Sequence, residues 1–497
     1  MLTANSNGEI TVIAKATDGS GIKGEKNFII SGVILATILV ETITINASDI
    51  TNGSSQQLSI IMTPNNASNK TVTWAVSDAS IAEISSDGML TPKANGTLKI
   101  TATTTDGSDI KAETQINIAG VSSNVQGTIV STSQELVSAV SSASAGEKIY
   151  VKEGNYTFTS NINISKNGNS TNLIALLPHP DNTSRPKFDF SSMSENSSNR
   201  GISLSGDYWH IKGIDVFGAG DNGMFIKGNN NLIENCTFSE NKDTGLQIGN
   251  GGSNNTILNC DSFYNADSSL ENADGFACKL DAGTGNKFIG CRAWQNLDDG
   301  WDGYLRGNDN ITTTYENCWA FNNGYLKDGS KGAGDGNGFK TGGSDDKLLK
   351  HNAIYKNCIA AGNIYDGFDH NSNRGNVEIY NCASYKNGRN INFSSSNIAN
   401  SLTIKNTASL EGLSSDSYNA STKDITNNGW QNGITTAASD FVSLDINLLS
   451  SARNADGSLP KIDFLQLTYG SDLIDAGINI GFSFNGSAPD IGAFEKE

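Results

Sequence analysis

Leu232 to Gly249 reads "LIENCTFSENKDTGLQIG", and two marks in it recur down the chain. The first is a cysteine that closes a short apolar run. "IENC", "ILNC", "FIGC", "YENC", "YKNC" and "IYNC" set Cys236, Cys260, Cys291, Cys318, Cys358 and Cys382 at one repeat position, with Ile214 before the series and Thr407 after it. The second is an asparagine five residues later: Asn241, Asn265, Asn296, Asn323, Asn363 and Asn387. The shortest period, 24 residues from Cys236 to Cys260, suits one coil of three strands and three turns. A parallel β-helix accounts for both columns, because equivalent side chains then stack about 4.8 Å apart from coil to coil. The cysteines are expected as small interior hydrophobes and free thiols. The asparagines are expected to bond between turns and to tolerate the left-handed region. Cys278 lies outside the column, at an inward position of another strand.

A further column follows each asparagine turn: "NGMFIKG", "TGLQIGN", "DGFACKL", "DGWDGYL", "NGFKTGG" and "DGFDHNS". After the shared glycine comes Met224, Leu246, Phe276, Trp301, Phe339 or Phe368, always large and apolar, so this position points inward. Strand alternation turns the next residue outward. That outward column holds Phe225, Gln247, Ala277, Asp302, Lys340 and Asp369. Stacking therefore brings Asp274, Asp298, Asp299 and Asp302 to one outer patch beside Lys340. Four like charges this close raise one another's pKa unless a cation joins them. Ca²⁺ fits best, since it takes many carboxylate oxygens in flexible geometry, whereas Mg²⁺ prefers fewer protein ligands. An isolated Asp-Gly would be ordinary turn chemistry. "GDGNGFKTGG" is no phosphate-binding loop, because its spacing fails and a strand follows. Two long connections, Asn265 to Gly275 and Asn323 to Gly338, border the patch as candidate cleft walls.

The remainder of the chain agrees with an all-β reading. Its 497 residues suggest two or more domains, and 53 Gly against 7 Pro with no long amphipathic run favours a turn-rich β protein. A net charge of −18 without a basic stripe argues against nucleic-acid binding. The seven cysteines lack CxxC spacing, so neither a zinc site nor a full disulfide framework is expected. The apolar run from Ile29 to Val40 is too short to span a bilayer and reads as strand plus linker. "SQELVSAVSSASAGEKIYVKEGNYTF" reads as a short helix, fit to cap the open end of the coil, and then a strand "KIYVKEGNY". Upstream, Met1–Val33 and Met89–Val121 match at an offset of 88, each with a "DGS" turn between alternating apolar residues. The second copy has a full upstream half, roughly seven short strands in all, as in an immunoglobulin-like sandwich.

Residues 38–121 resemble the bacterial Ig-like group 2 domain, and 1–37 resemble the C-terminal half of a preceding copy. That half cannot bury a core alone, so the chain is expected to be part of a longer secreted protein, its Ig-like modules serving as spacer or adhesion units. From 125 to 497, "ADGFACKL", "GCRAWQNLDDGWDGY" and "GNGFKTGG" resemble the pectate lyases of polysaccharide lyase family 9. The closing "LIDAG…APDIGAFE" is similar to the end of many β-helix polysaccharide enzymes. The resemblance implies a right-handed parallel β-helix, Ca²⁺ on Asp274, Asp298, Asp299 and Asp302, and Lys340 as Brønsted base. It implies β-elimination on an acidic plant cell-wall polysaccharide such as homogalacturonan, Lys340 taking the C5 proton and Ca²⁺ neutralising the uronate carboxylate. Lys279, Arg306, Lys327, Lys331 and Asp369 are then candidates for contacting anionic sugar. A rhamnogalacturonan or other uronate lyase, a glycoside hydrolase and a Ca²⁺-dependent adhesin are the alternatives. A secreted or cell-surface monomer without a membrane span is expected.

Overall fold

The computed structural model describes residues 1–33, 37–121 and 125–496, and the chain forms two compact units that divide at Val125. The first unit contains the Ig-like region. Alternation of apolar and polar residues along Gly96–Thr104 and Lys111–Ile118 makes an antiparallel pair, with Leu98↔Ile116 in register and Val72–Val76 added at its edge. Its inward residues Leu98, Ile100, Ile116 and Ile118 meet Ile43, Ile45, Leu58 and Leu90 from the facing strands. The same pattern 88 residues earlier gives a hairpin, Gly8–Lys15 with Lys23–Ile30. There the equivalents of the buried residues are not covered: Val12 is 40% exposed where Ile100 is 0%. Of the apolar run Ile29–Val40, Ile29 and Ile30 end that hairpin and 34–36 lie outside the described residues.

In the second unit every strand pair runs parallel, and three sheets of twelve, ten and ten strands wrap one core. One coil is Leu232–Glu234 in the first sheet, Thr237–Ser239 in the second and Leu246–Ile248 in the third. The large residues after the glycines stack inside in register, with ring centroids 5.1 Å apart for Phe276–Trp301, 4.9 Å for Trp301–Phe339 and 5.1 Å for Phe339–Phe368. All six column cysteines and Cys278 are buried free thiols. Thr313 and Asn286 face the Cys278 sulfur.

The asparagine column forms an amide ladder, each Nδ2 donating to the Oδ1 one coil above: Asn265 to Asn296 at 2.8 Å, Asn296 to Asn323 at 3.0 Å and Asn323 to Asn363 at 2.9 Å. These asparagines do not take the left-handed conformation. The residue before each does: Glu240, Tyr264, Gln295, Asn322, Gly362 and Lys386 all have positive φ. The turn is closed by the ladder side chain and bent by its neighbour. A second ladder, Asn231–Asn255–Asn286, closes the turn between the third and first sheets. Replacing Asn323 by alanine removes its amide bonds to Asn363 and to the Ala293 carbonyl and deprives Asn296 of the Asn323 Oδ1 acceptor. Because the site is fully buried, the loss is expected to cost about 2–4 kcal/mol, read as a lower denaturant midpoint for the β-helix.

The helix falls at Ser133–Ser142, started by a capping box of Thr132 and Glu135, and its buried Leu136, Ala139 and Val140 cover Val130, Ile149 and Ile162 of the first coil. "KIYVKEGNY" is not one strand. It divides into Lys148–Val151 and Asn155–Thr157, on different sheets, with Gly154 at φ +143° turning the corner. The C-terminal segment, with 3₁₀ turns at Ala438–Asp440 and Ile446–Ser450, lies on the second sheet's outer face and packs Phe441, Leu449, Phe464 and Leu473 against Trp319, Phe321 and Ile359. Arg292 and Arg453 anchor it on Asp261 at 2.8 and 2.7 Å.

Candidate active site

The third sheet builds the site. Its strands run Phe276–Cys278, Trp301–Asp302, Phe339–Lys340 and Asp366–Asp369, with Ala277↔Asp302, Asp302↔Lys340 and Lys340↔Asp369 in register. Just before the strands, the Gly275 N–H donates to Asp299 O and the Gly245 N–H to Asp274 O, which seats Asp274 one coil below Asp299. Asp274, Asp298 and Asp299 each offer an oxygen, all within 4.8 Å of one another. Asp302 is buried alongside but is not within that group.

Two lysines reach into the acids. Lys279 Nζ is 2.6 Å from Asp274 and 3.3 Å from Asp302, and Lys340 Nζ is 3.1 Å from both Asp299 and Asp335. Asp299 Oδ1 accepts from the Asn337 N–H at 2.9 Å and its amide at 2.8 Å, whereas Asp299 Oδ2 is buried and faces the Lys340 ammonium at 3.1 Å. Asp298 accepts from the Asp335 N–H, an approach that needs Gly334, since a Cβ there would sit 2.8 Å from the Asp298 carboxylate.

Burial dominates the acids' titration. It pushes Asp298 to about 9, with Asp299 and Asp274 adding repulsion. It carries Asp299 to about 7 against the pull of Lys340. Asp274 is raised by burial, which outweighs Lys279, and Asp302 adds to the rise. Asp302 departs from mutual raising: burial opposes its charge, but Lys340, Lys279 and the Tyr304 N–H outweigh burial and lower its pKa. Burial also works against charge on Lys340, yet Asp299, Asp302, Asp298 and Asp335 hold it well above the ordinary lysine value.

This donor set suits a hard cation. Every candidate ligand atom is a carboxylate oxygen on a buried residue, and burial raises Asp274, Asp298 and Asp299 when no cation is near. Asp274, Asp298, Asp299, Asp302 and Asp335 together outnumber Lys279 and Lys340, an excess of negative charge that a cation would offset.

Other sequence candidates fall in different places. Asp369 is buried beside Lys340, its carboxyl raised well above the usual range by burial and by Asp366. Arg306 pairs with Asp345 at 3.1 Å, and Lys327 pairs with Glu240 at 3.0 Å over the Tyr264 ring. Lys331 is exposed and bridges to Tyr325 through its backbone. Among the described residues none of these three contacts the acid cluster. The two long connections do meet, the Ala333 N–H donating to the Leu270 carbonyl at 2.9 Å. Asp335 and Asn337, which hold Lys340, Asp298 and Asp299, were not singled out by sequence. Asn337 precedes its strand glycine at the same position as Asp274 and Asp299, which is its signal in the sequence. A cavity of about 820 Å³ between the turns near Trp319 and the C-terminal Phe482 and Phe494 is lined by none of the four aspartates.

Comparison with known proteins places this geometry. A family model described as the Pel9A-like right-handed β-helix region matches residues 117–433, and one for the bacterial Ig-like domain (group 2) matches 40–114. Pectate lyase L of Dickeya chrysanthemi is 38% identical over 392 residues, which is 76% of this chain and 89% of that protein. Pectate lyase L of Paenibacillus polymyxa is 39% identical over 371 residues, 70% and 80% of the two chains. The crystal structure of pectate lyase Pel9A superposes with a TM-score of 0.66 at 36% identity, over 75% of this chain and 98% of that one. A rhamnogalacturonan lyase superposes at 0.62 with 26% identity, over 69% and 97%. With its parallel coils, its acid cluster beside a buried lysine, and these matches over most of both chains, the protein belongs to the Pel9A-like right-handed β-helix family of polysaccharide lyases, joined to a group 2 bacterial Ig-like domain.

Proposed function

We propose that the protein is a calcium-dependent lyase of polygalacturonate, with Lys340 as the base and Asp274, Asp298, Asp299 and Asp302 as the residues that hold Ca²⁺. The observation that carries this reading is the placement of the Lys340 ammonium 3.1 Å from buried Asp299, inside a cluster of acids on adjacent coils. Lys340 Nζ takes the C5 proton of a uronate, the C5–H electrons form the C4–C5 double bond, and the C4–O4 bond breaks. O4 leaves with a proton drawn from water. Bound Ca²⁺ supplies positive charge that offsets the carboxylates around Lys340 and the uronate's own, which acidifies the C5 proton and favours neutral lysine. Lys279 balances Asp274 and Asp302, and Asn337 fixes the rotamer of Asp299. Asp335 on the long connection steadies Lys340 from the solvent side.

The test is to mix the protein with polygalacturonate and calcium and follow ultraviolet absorbance of the unsaturated product. A calcium-dependent rise is expected. New reducing ends without absorbance would mean hydrolysis and would end the proposal. A rhamnogalacturonan backbone is the second reading, favoured by the likeness to a rhamnogalacturonan lyase, and the same assay on that polymer separates the two. Polymers of this size lie outside the cell, so we place the enzyme there, acting as a monomer. Among the described residues no helix is long and apolar enough to cross a membrane.

A further inference from the structure

The outer face of the third sheet continues below the acid cluster and ends in a separate pair of cations. Arg200 precedes Gly201 as Asp274 precedes Gly275, so it stands in the same column. That column rises through Asn222 and Thr244, with the Gly201 N–H donating to Asn222 O, Gly223 to Thr244 O and Gly245 to Asp274 O, which places Arg200 three coils below Asp274, about 14 Å away at the strand spacing. Its guanidinium lies 3.7 Å from the centroid of the outward Phe225 ring. Stacking on that face leaves the guanidinium edge free for bonds in its own plane. Asp221 takes one place on that edge, at Nε and 3.2 Å. Among the described residues the two terminal nitrogens form no hydrogen bond, and the side chain is 27% exposed. Lys227 leaves the end of the Phe225 strand with its ammonium 6.0 Å from the same ring, in no ion pair among the described residues. The floor from here to the acid cluster is uncharged: Ser203, Phe225, Gln247 bonded to Asn222, and Ala277. Asp221 and Asp243 stand at its margin.

We infer that Arg200 and Lys227 form a second anion-binding position on this face, which receives a carboxylate of the same acidic polysaccharide several sugars away from the bond that is cleaved. The inference rests on the reading of the acid cluster as a uronate site. A guanidinium held flat on a ring, with both terminal nitrogens unused, is prepared for bidentate contact with a carboxylate. Lys227 adds unpaired charge beside it. The position discriminates between long and short substrates, since only a chain that spans about 14 Å reaches from the acid cluster to Arg200.

The experiment compares wild type, Arg200→Ala and Lys227→Ala on polygalacturonate and on a series of oligogalacturonides. KM on the polymer should rise about five- to tenfold in Arg200→Ala and less in Lys227→Ala, while kcat is retained. The KM penalty should shrink on oligomers too short to span the two positions, and added salt should narrow the gap between wild type and variants. Lys227→Ala removes no ion pair, so it remains informative if Arg200→Ala unfolds. Equal KM values for wild type and both variants would overturn the inference. So would a penalty of the same size at every chain length, which means a structural role. Wild type that produces no unsaturated product from any uronate polymer would instead remove the underlying reading, and the inference with it.

Discussion

Lys340→Ala should lower kcat on polygalacturonate by roughly 10²–10⁴-fold, the range for loss of a positioned general base. Lys340 is almost buried, lies in strand register between Asp302 and Asp369, and has no other lysine in its column. No neighbour can take over its proton transfer: Lys279 is drawn to Asp274 at 2.6 Å, one coil below Asp299. KM should change by only a few fold, since the effect lies in the transition state. Lys340→Arg should be nearly as inactive, because a guanidinium stays charged. The variant also carries a second signature. Removing the ammonium leaves Asp299 without its countercharge, so the metal-free variant should melt lower than metal-free wild type, and calcium should close that gap. Activity within tenfold of wild type, in a variant with an unchanged β-sheet circular dichroism spectrum, would remove Lys340 from the role of base.

The coils were legible because a parallel β-helix repeats one position per turn. Each asparagine from Asn241 to Asn387 follows its cysteine, Cys236 to Cys382, by the same five residues, and the buried thiols and the amide ladder follow from that register. The same logic reached Asp302, Lys340 and Asp369, which occupy one outward column on successive coils. Legibility ended where the period ended. The second ladder sits five residues before the cysteine, but after Asn231, Asn255 and Asn286 that position becomes Thr313 and Ala353, so the pattern dissolves. Asp335 is brought to Lys340 by a glycine-rich connection whose path depends on close packing at Gly334, not on spacing. The C-terminal segment buries Phe441, Leu449, Phe464 and Ile491 at irregular intervals, and no strand or helix period marks them. Asp302 differs because both Lys340 and Lys279 act on it, the latter reaching over from the coil below, and stacking alone does not fix that second contact.

Calcium should raise the melting temperature of the protein, and by more at alkaline than at acid pH. Asp298 at about 9 and Asp299 at about 7 both lie above their unfolded value of 3.8, with burial the main cause. The sign follows from proton binding. The folded, cation-free protein holds these protons where the unfolded chain has released them, so the stability they contribute is full below the unfolded value. It is lost as pH rises through about 7 and then about 9. A cation on the same oxygens replaces the protons, and its advantage therefore grows over that interval. At a hundredfold excess over its dissociation constant calcium stabilises by about 2.7 kcal/mol, which is roughly 5 °C for a domain of this size. Asp299→Ala should abolish both the shift and the calcium-dependent lyase activity, because it deletes a carboxylate of the acid cluster and the buried ion pair with Lys340 together. Thermal scans of wild type and this variant, with calcium and with chelator, at pH values on either side of 7 decide the matter. A calcium shift that survives in Asp299→Ala would move the cation elsewhere, and one that shrinks as pH rises would contradict the proton competition on which the assignment of these acids depends.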